Sequence, residues 1–485
     1  MRQIAANRMV ADRIDFPRAI QAALTPLEKA SLLRRCAGKV DPTLLLAFFR
    51  DSDPFVRQAA RHAFENSVTA ETLAHLRLPE NAGQRAELAL VMRKFSSDQR
   101  IRHRVSELLA DNDPRVRFIA LRWIGEEKLA GFSQQLATEI RTRPMTGRLF
   151  ESSLAALDML QENRKGAEYE KREAGILVDI LKNGNSQVET VITALRKLQA
   201  VSRRDSFQDH PALKLELLKR LLQHDNPEVV REAIQTVRDL DSKESREVLL
   251  EIVLQRHQYG EAANEAVIGL DPADDQQRTA LLGILTAPGS SWTVAARQSV
   301  QQATWNEDDR RALQRQGLTL NSLTRAPVSR IFGGLLKAKG IVDRMATADA
   351  DRGRLIFYNR RFGQCATCHQ VDGRGGMIGP DLSHVSDNGV ERLLESILQP
   401  GKEIAPRYTS WMIQTYDGKT VTGVLVAERG EVQTFADASG KLHKIRFDDI
   451  EEKKPVTASI MPEGLTDRMT DQEVADLIAF LSRKR

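Results

Sequence analysis

One turn, written three times between amphipathic helices, sets the fold class of this chain. Its copies read Asp51-Ser52-Asp53-Pro54-Phe55-Val56-Arg57, Asp111-Asn112-Asp113-Pro114-Arg115-Val116-Arg117 and His224-Asp225-Asn226-Pro227-Glu228-Val229-Val230-Arg231. An Asp or Asn side chain accepts hydrogen bonds from the orphan N–H groups of a helix start. The proline that follows fits the first helical position, where no donor is needed. Each copy then opens an apolar stripe: Val116, Ala120, Ile124 in the second and Val229, Ala233, Val237 in the third. A helix ending in Leu-Leu precedes the turn, as at Leu108-Leu109 and Leu221-Leu222. Lys182-Asn183-Gly184-Asn185-Ser186-Gln187-Val188 is a degenerate fourth copy. Antiparallel helices joined by a capped turn and repeated build an α-solenoid. The prolines stand 60 and then 113 residues apart, so degenerate repeats fill the gaps, and an irregular helical bundle is the competing arrangement.

At 485 residues the chain exceeds what one core supports. A break near Arg325-Ala326-Pro327 and a basic helical piece over 331–346 place a boundary near 345. The expectation is a helical repeat domain over 12–345 and a second domain over 346–485. Apolar residues make up 41% of the chain and aromatics only 5%, which favours helices packed through aliphatic side chains. The net charge of +5, from 71 basic and 66 acidic residues interspersed along helices, is too small for a nucleic-acid footprint. There is no apolar run long enough for a transmembrane helix. Met1 to Arg8 lacks the apolar core of a signal peptide.

Three cysteines exclude a disulfide scaffold. Cys36 lies in a helical pattern and reads as a packed thiol without a role. The other two form Cys365-Ala366-Thr367-Cys368-His369. Thiols at this spacing, on a turn and the first turn of a helix, both reach one edge of a haem, and the following His points its imidazole at the iron. A zinc site needs further ligands and has no second C-x-x-C here; a thioredoxin-like pair follows a strand, whereas Cys365 follows a helical pattern. Gly379-Pro380 lies eleven residues beyond Cys368, where the proline can pack on the imidazole and its carbonyl region can accept the imidazole N–H. The run Gly373-Arg374-Gly375-Gly376 lets backbone pass close to the porphyrin edge. The sixth ligand is expected at Met461, held in a loop by Pro462, in preference to Met377, Met412 or Met469. His384 is its rival. Thr470-Asp471-Gln472-Glu473 is a capping box that opens a terminal helix with the stripe Val474, Leu477, Ile478, Leu481. Gly353 and Phe357 share a face of an earlier helix that Leu477 and Phe480 can cover.

Much of residues 40–325 loosely resembles HEAT repeats. Residues 349–485 resemble a class I cytochrome c domain in Gly353, Phe357, the C-x-x-C-H motif, Gly379-Pro380, Met461 and the Leu477–Phe480 pair. They are more closely similar to the haem-binding domain at the C-terminus of large exported planctomycete proteins, through Gly379-Pro380-Asp381-Leu382, the run Pro400 to Tyr408 and the run Ser459 to Leu465. The resemblance implies a mainly α chain, a HEAT-like solenoid followed by a cytochrome c-type domain. It implies one covalent haem c on Cys365 and Cys368, with His369 and Met461 on the iron and Gly379 and Pro380 beside it. In that family a propeller-like dehydrogenase domain often precedes both parts; it is lacking here.

Between 409 and 455 the period switches from helical to alternating, around the turn signals Asp417-Gly418 and Ser439-Gly440. This predicts a small antiparallel β-insert of four or five strands. It can act as a cover over the haem edge, a partner dock or a stabilising elaboration. The leading functional reading is single-electron transfer, with the repeats as a docking scaffold for a redox partner protein, including an upstream dehydrogenase domain or subunit. Alternatives are a haem-based sensor or peroxidase-like enzyme, and a haem-bearing interaction scaffold. No catalytic residue is assigned, since no dinucleotide fingerprint, Ser-His-Asp context or second metal cluster is present. Thioether attachment of haem implies a periplasmic or otherwise exported protein, and hence a longer natural polypeptide carrying the export signal.

Overall fold

The stripes and caps read from the sequence decide which faces the helices bury. The structure is a computed structural model that describes residues 25–484 except 39, 144, 161–166, 184–185, 203–212, 286–290, 301–304, 316 and 318–333. The start of the chain, the Gly184-Asn185 centre of the fourth turn and the break at Arg325-Ala326-Pro327 lie outside the described residues. The protein is mainly helical with small antiparallel sheets near the C-terminus. It divides into two compact units, Met1–Ala194 with Val201–Ala212, and Leu195–Ala200 with Leu213–Arg485.

In the first unit, helices α1 (Pro54–Glu65), α2 (Ala82–Lys94), α3 (Gln99–Leu109), α4 (Pro114–Glu126) and α5 (Gly147–Leu160) follow one another. Helix α1 packs on α2, α2 on α4, and α4 on α3 and α5. The turn works as its chemistry demands. Asp53 accepts from the N–H groups of Phe55 and Val56 at 2.8 and 3.2 Å, and Asp113 from Arg115 N–H at 2.8 Å. Val116, Ala120 and Ile124 are fully buried, as the stripe requires. Charged links tie successive helices: Arg57 donates to Glu87, Arg85 to Asp111 and Arg93 to Glu127, at 3.1, 2.6 and 3.1 Å.

The second unit begins with the Leu195–Ala200 stretch of α6 (Val188–Ser202), followed by α7 (Pro227–Leu240), α8 (Lys243–Leu254) and the short α9 (Ala263–Val267), which pack together. Asn226 caps α7 by accepting from Glu228 N–H at 2.9 Å. Val229, Ala233 and Val237 are buried as expected, but so are Glu232, Thr236 and Arg238 on another face of the same helix. Helix α10 (Ala350–Tyr358) leads to the one-turn α11 (Cys365–Cys368), the two-stranded hairpin β1 (Gln370–Val371) and β2 (Arg374–Gly375), and α12 (Val390–Leu398). Five further strands precede the terminal helix: β3 (Ser410–Thr415), β4 (Thr420–Arg429), β5 (Val432–Ala436), β6 (Leu442–Arg446) and β7 (Ile450–Val456). They form one antiparallel sheet in the order β6-β5-β4-β3-β7. Its core is Ile413, Phe435 and Ile445, with Trp411, Val421, Leu425 and Ile450 against it. On β6, whose facing the alternation leaves open, Leu442 is 55% exposed and Ile445 is buried. The aromatic Phe435 on β5 sets that choice, because it offers more apolar area than Val432 or Thr434.

Helix α13 (Asp471–Leu481) closes the unit against α10. Thr470 and Glu473 form the capping box, and Val474, Leu477, Ile478 and Leu481 are all buried. The crossing point is Gly353, where a Cβ would lie 1.9 Å from the Asp476 carbonyl oxygen. Asp476, itself buried, accepts from Arg352 at 2.7 and 3.0 Å and from Asp349 N–H at 2.8 Å, which locks the crossing with charge-assisted bonds. Phe357 and Phe480 pack with centroids 5.5 Å apart. The Gly353→Ala substitution must push two helix backbones apart, so it should destabilise this unit by at least ~1–3 kcal/mol in denaturant unfolding.

Candidate functional site

The C-x-x-C-H segment takes its conformation from one left-handed residue. Gln364, at φ 58°, turns the chain from Gly363 into α11, and His369 leaves the helix in an extended conformation. Cys365 and Cys368 stand at the two ends of that single turn, both half-buried. They line a cavity of about 680 Å³ together with His369, Gly379, Pro380 and Met461. Every candidate site residue read from the sequence therefore borders one space, of the size usual for cofactor pockets, about 300–1,000 Å³. Burial pushes the Cys365 thiol up to about 12. Cys368 is also raised, by burial and then by the Asp437 carboxylate. Both thiols are held neutral.

The imidazole is held on two sides. His369 Nδ1 lies 2.9 Å from the Pro380 carbonyl oxygen, which can only accept, so the ring hydrogen sits on Nδ1 and Nε2 keeps its lone pair. Burial lowers the His369 pKa below its usual value despite that bond, so the ring is neutral near pH 7. Gly379 lies flat against the ring, and a Cβ there would fall 2.6 Å from its Cε1. The chain from 370 to 380 reaches this position through close backbone contacts. Gly376 N–H donates to Ala366 O at 2.9 Å, and the N–H groups of Ile378 and Gly379 both donate to Cys368 O, at 3.0 and 2.8 Å. The glycine run thus packs on the C-x-x-C-H turn itself, and a Cβ at Gly376 would meet Thr367 O at 2.0 Å.

The far wall comes from 459–469. Met461, followed by Pro462, lines the cavity, and its N–H donates to Ser459 Oγ at 3.2 Å. Met469, almost fully buried just before α13, lines it too, as does His384. Met377 is 77% exposed, and neither it nor Met412 on β3 borders the cavity. The sheet reaches the site through the β5–β6 turn. Ala438 and Ser439 line the cavity, and a Cβ at Gly440 would lie 2.9 Å from the Thr367 methyl. Asp437 organises this turn by accepting from Ser439 Oγ at 2.6 Å and facing His443 Nε2 at 2.8 Å. Those partners hold its carboxyl well below the usual carboxylate range. The β-insert therefore borders the cavity through this turn.

Sequence reasoning missed what holds the loop between His369 and Pro380. Arg374, read as part of a permissive glycine run, is 2% exposed. It donates to Glu232 at 2.5 Å, to Asp239 at 2.7 Å and to Thr236 Oγ1 at 2.9 Å, all on α7. Arg196 donates to Glu232 at 2.9 Å and to the Asp372 carbonyl at 2.7 Å. Arg238 donates to the fully buried Glu265 at 2.6 Å, and Arg354 pairs with that carboxylate as well. Burial alone would raise the two α7 carboxyls. The Arg374 and Arg196 guanidiniums outweigh it and hold Glu232 at about 2, while Arg238 and Arg374 hold Asp239 at about 2. The one available signal was an arginine between glycines, where a solvated loop has no reason to need one.

Two predictions rest on these contacts. The Gly379→Ala methyl displaces the imidazole and should cost ~1–3 kcal/mol. Gly373→Ala, with no neighbour within 4 Å but φ +76°, should cost only about 1 kcal/mol of backbone strain. Chemical denaturation of both variants reads the difference. Glu232 and Asp239 titrate below their unfolded values of 4.5 and 3.8, so their stabilisation is complete above about pH 4.5 and is lost as pH falls toward 2. Unfolding free energy measured over that window should fall less steeply in Glu232→Gln.

No curated protein matches the chain. Residues 350–419 match the family model for cytochrome c. The match takes in α10, the C-x-x-C-H turn and the Pro380 loop, and ends between β3 and β4, ahead of the 459–469 wall. The segment that builds the imidazole side of the cavity is therefore similar to cytochrome c, a family whose members carry covalently bound haem and transfer electrons.

Proposed function

We propose that this chain is a c-type cytochrome passing single electrons through one covalently bound haem c. Residues 346–485 would act as the haem module and the HEAT-like helices of 12–345 as a docking scaffold for a redox partner protein, such as a dehydrogenase domain or subunit. The observation that carries the reading is the His369–Pro380 bond at 2.9 Å, which leaves Nε2 as the free donor in a cavity that also holds both thiols. Cys365 and Cys368 fit the two thioether attachments, and their neutral, reduced state suits addition across a vinyl group. His369 would hold the iron through Nε2, and Met461, which lines the same cavity with its N–H bonded to Ser459 and Pro462 after it, would be the second protein ligand. When bound there, the haem supplies one-electron oxidation and reduction at iron.

The chain's own residues account for the rest. Pro380 and Gly379 fix the ring plane and tautomer of His369. The β5–β6 turn and the 459–469 segment line the same cavity as the cysteines and would limit the contact of the attachment edge with water. With both His369 and Met461 holding the iron, no protein-free position would be left for a substrate, which favours electron transfer over catalysis. Thioether attachment also supports an exported, periplasmic location.

The chain co-expressed with a haem-maturation system in an exporting host should yield a coloured protein whose haem survives acid acetone. Met461→Ala should abolish the weak far-red band of thioether-ligated ferric haem, whereas Met469→Ala should keep it. Colourless wild-type protein, or haem extracted by acid acetone, would overturn the proposal. Carbon monoxide binding to the reduced wild type at neutral pH would replace it with a ligand-sensing or peroxidase-like reading.

A further inference from the structure

The loop from His369 to Pro380 carries both ends of the bond that orients the imidazole, and its middle is held by two side chains from outside it and by one of its own that reaches out. Tyr358 Oη donates to Val371 O at 3.4 Å, Arg196 to Asp372 O at 2.7 Å, and Arg374 reaches into α7. The β1–β2 register pairs Gln370 with Gly375 and Val371 with Arg374, so the arginine lies on the hairpin that starts at the residue after His369. The Asp372 N–H donates to Ser383 Oγ at 2.8 Å and Leu382 N–H to Gln370 O at 2.9 Å, which passes the same restraint to the segment after Pro380. Arginines 196, 238, 354 and 374 face the carboxylates of Glu232, Asp239 and Glu265, so these charges form one largely buried network. In a low-dielectric interior a single charge acts over distances at which a surface charge is screened.

We propose that Arg374, with Glu232 and Asp239 of α7, positions the His369 loop and sets the charge balance at the haem site. This rests on the haem reading above. The two carboxylates stabilise the more positive ferric state, and the guanidinium stabilises the ferrous state. Changing each alone should therefore move the ferrous-to-ferric equilibrium in opposite directions. Loosening of the fold, which exposes haem to water, would move every variant toward ferric.

The test is redox titration of the full, haem-matured chain. At the ambient potential where wild type is half reduced, Glu232→Gln and Asp239→Asn should each raise the ferrous-to-ferric ratio roughly threefold or more, and Arg374→Gln should lower it by a similar factor; tenfold corresponds to about 59 mV for one electron. Arg374→Lys, which keeps the charge, should stay within about twofold of wild type. Amide hydrogen exchange at Gly376 and Leu382 should be faster in Arg374→Gln than in wild type. Ratios that do not move, or that fall in all three charge variants, overturn the positioning role while leaving the haem reading intact. Wild-type protein that emerges without covalent haem overturns both. If Arg374→Gln does not fold, the two amide variants decide, because a rise supports the proposal and a fall or no change overturns it.

Discussion

Ionised side chains cannot stay in a protein interior alone, and that constraint organises the second unit of this molecule. Glu232 and Asp239 project from a helix whose other face is an ordinary apolar stripe. Their charges are tolerable only because Arg374 and Arg196 arrive beside them. Arg374 is 142 residues from Glu232 in the chain. A buried ion pair of this kind contributes little net stability over an apolar replacement, but it admits very few geometries. Its value is registry, since α7 and the β1–β2 hairpin can meet in one way only. The hairpin begins where the C-x-x-C-H motif ends, so registry there becomes registry of the imidazole.

Close backbone approach does the complementary work. At Gly353 two helices cross with no room for a methyl group, and at Gly379 the chain lies on the imidazole ring. Neither contact is strong by itself. Each is held by a charged or directional bond nearby: Asp476 with Arg352 at the crossing, and the Pro380 carbonyl with Nδ1 at the ring. Dispersion supplies the cohesion, and a single polar bond chooses among the packings that dispersion alone would allow.

What the sequence disclosed follows from how local each signal is. The caps at Asp53, Asp113 and Asn226, the stripe of α13 and the glycine at the crossing are set by neighbours within a turn or two, and the structure shows them where the pattern places them. The five strands were legible as alternation, but the facing of β6 was not, because alternation fixes a period without fixing which set points inward. The cavity wall near Pro380 was readable from spacing after the cysteines. Met469 was passed over because a methionine before a capping box looks like ordinary core. The cluster around Arg374 left almost no trace, since ion pairs between residues so far apart in sequence depend on a tertiary contact that no local pattern encodes.

The β5–β6 turn, with Ser439 and Gly440 against the C-x-x-C-H helix, lies far downstream of the cysteines it shields. So does the wall bearing Met461 and Met469. As the chain emerges from its N-terminal side, the thiols and the imidazole come before the segments that complete their cavity. If a bulky flat molecule is bonded there, as proposed, this order would leave access open while the bonds are made and enclose the site afterwards.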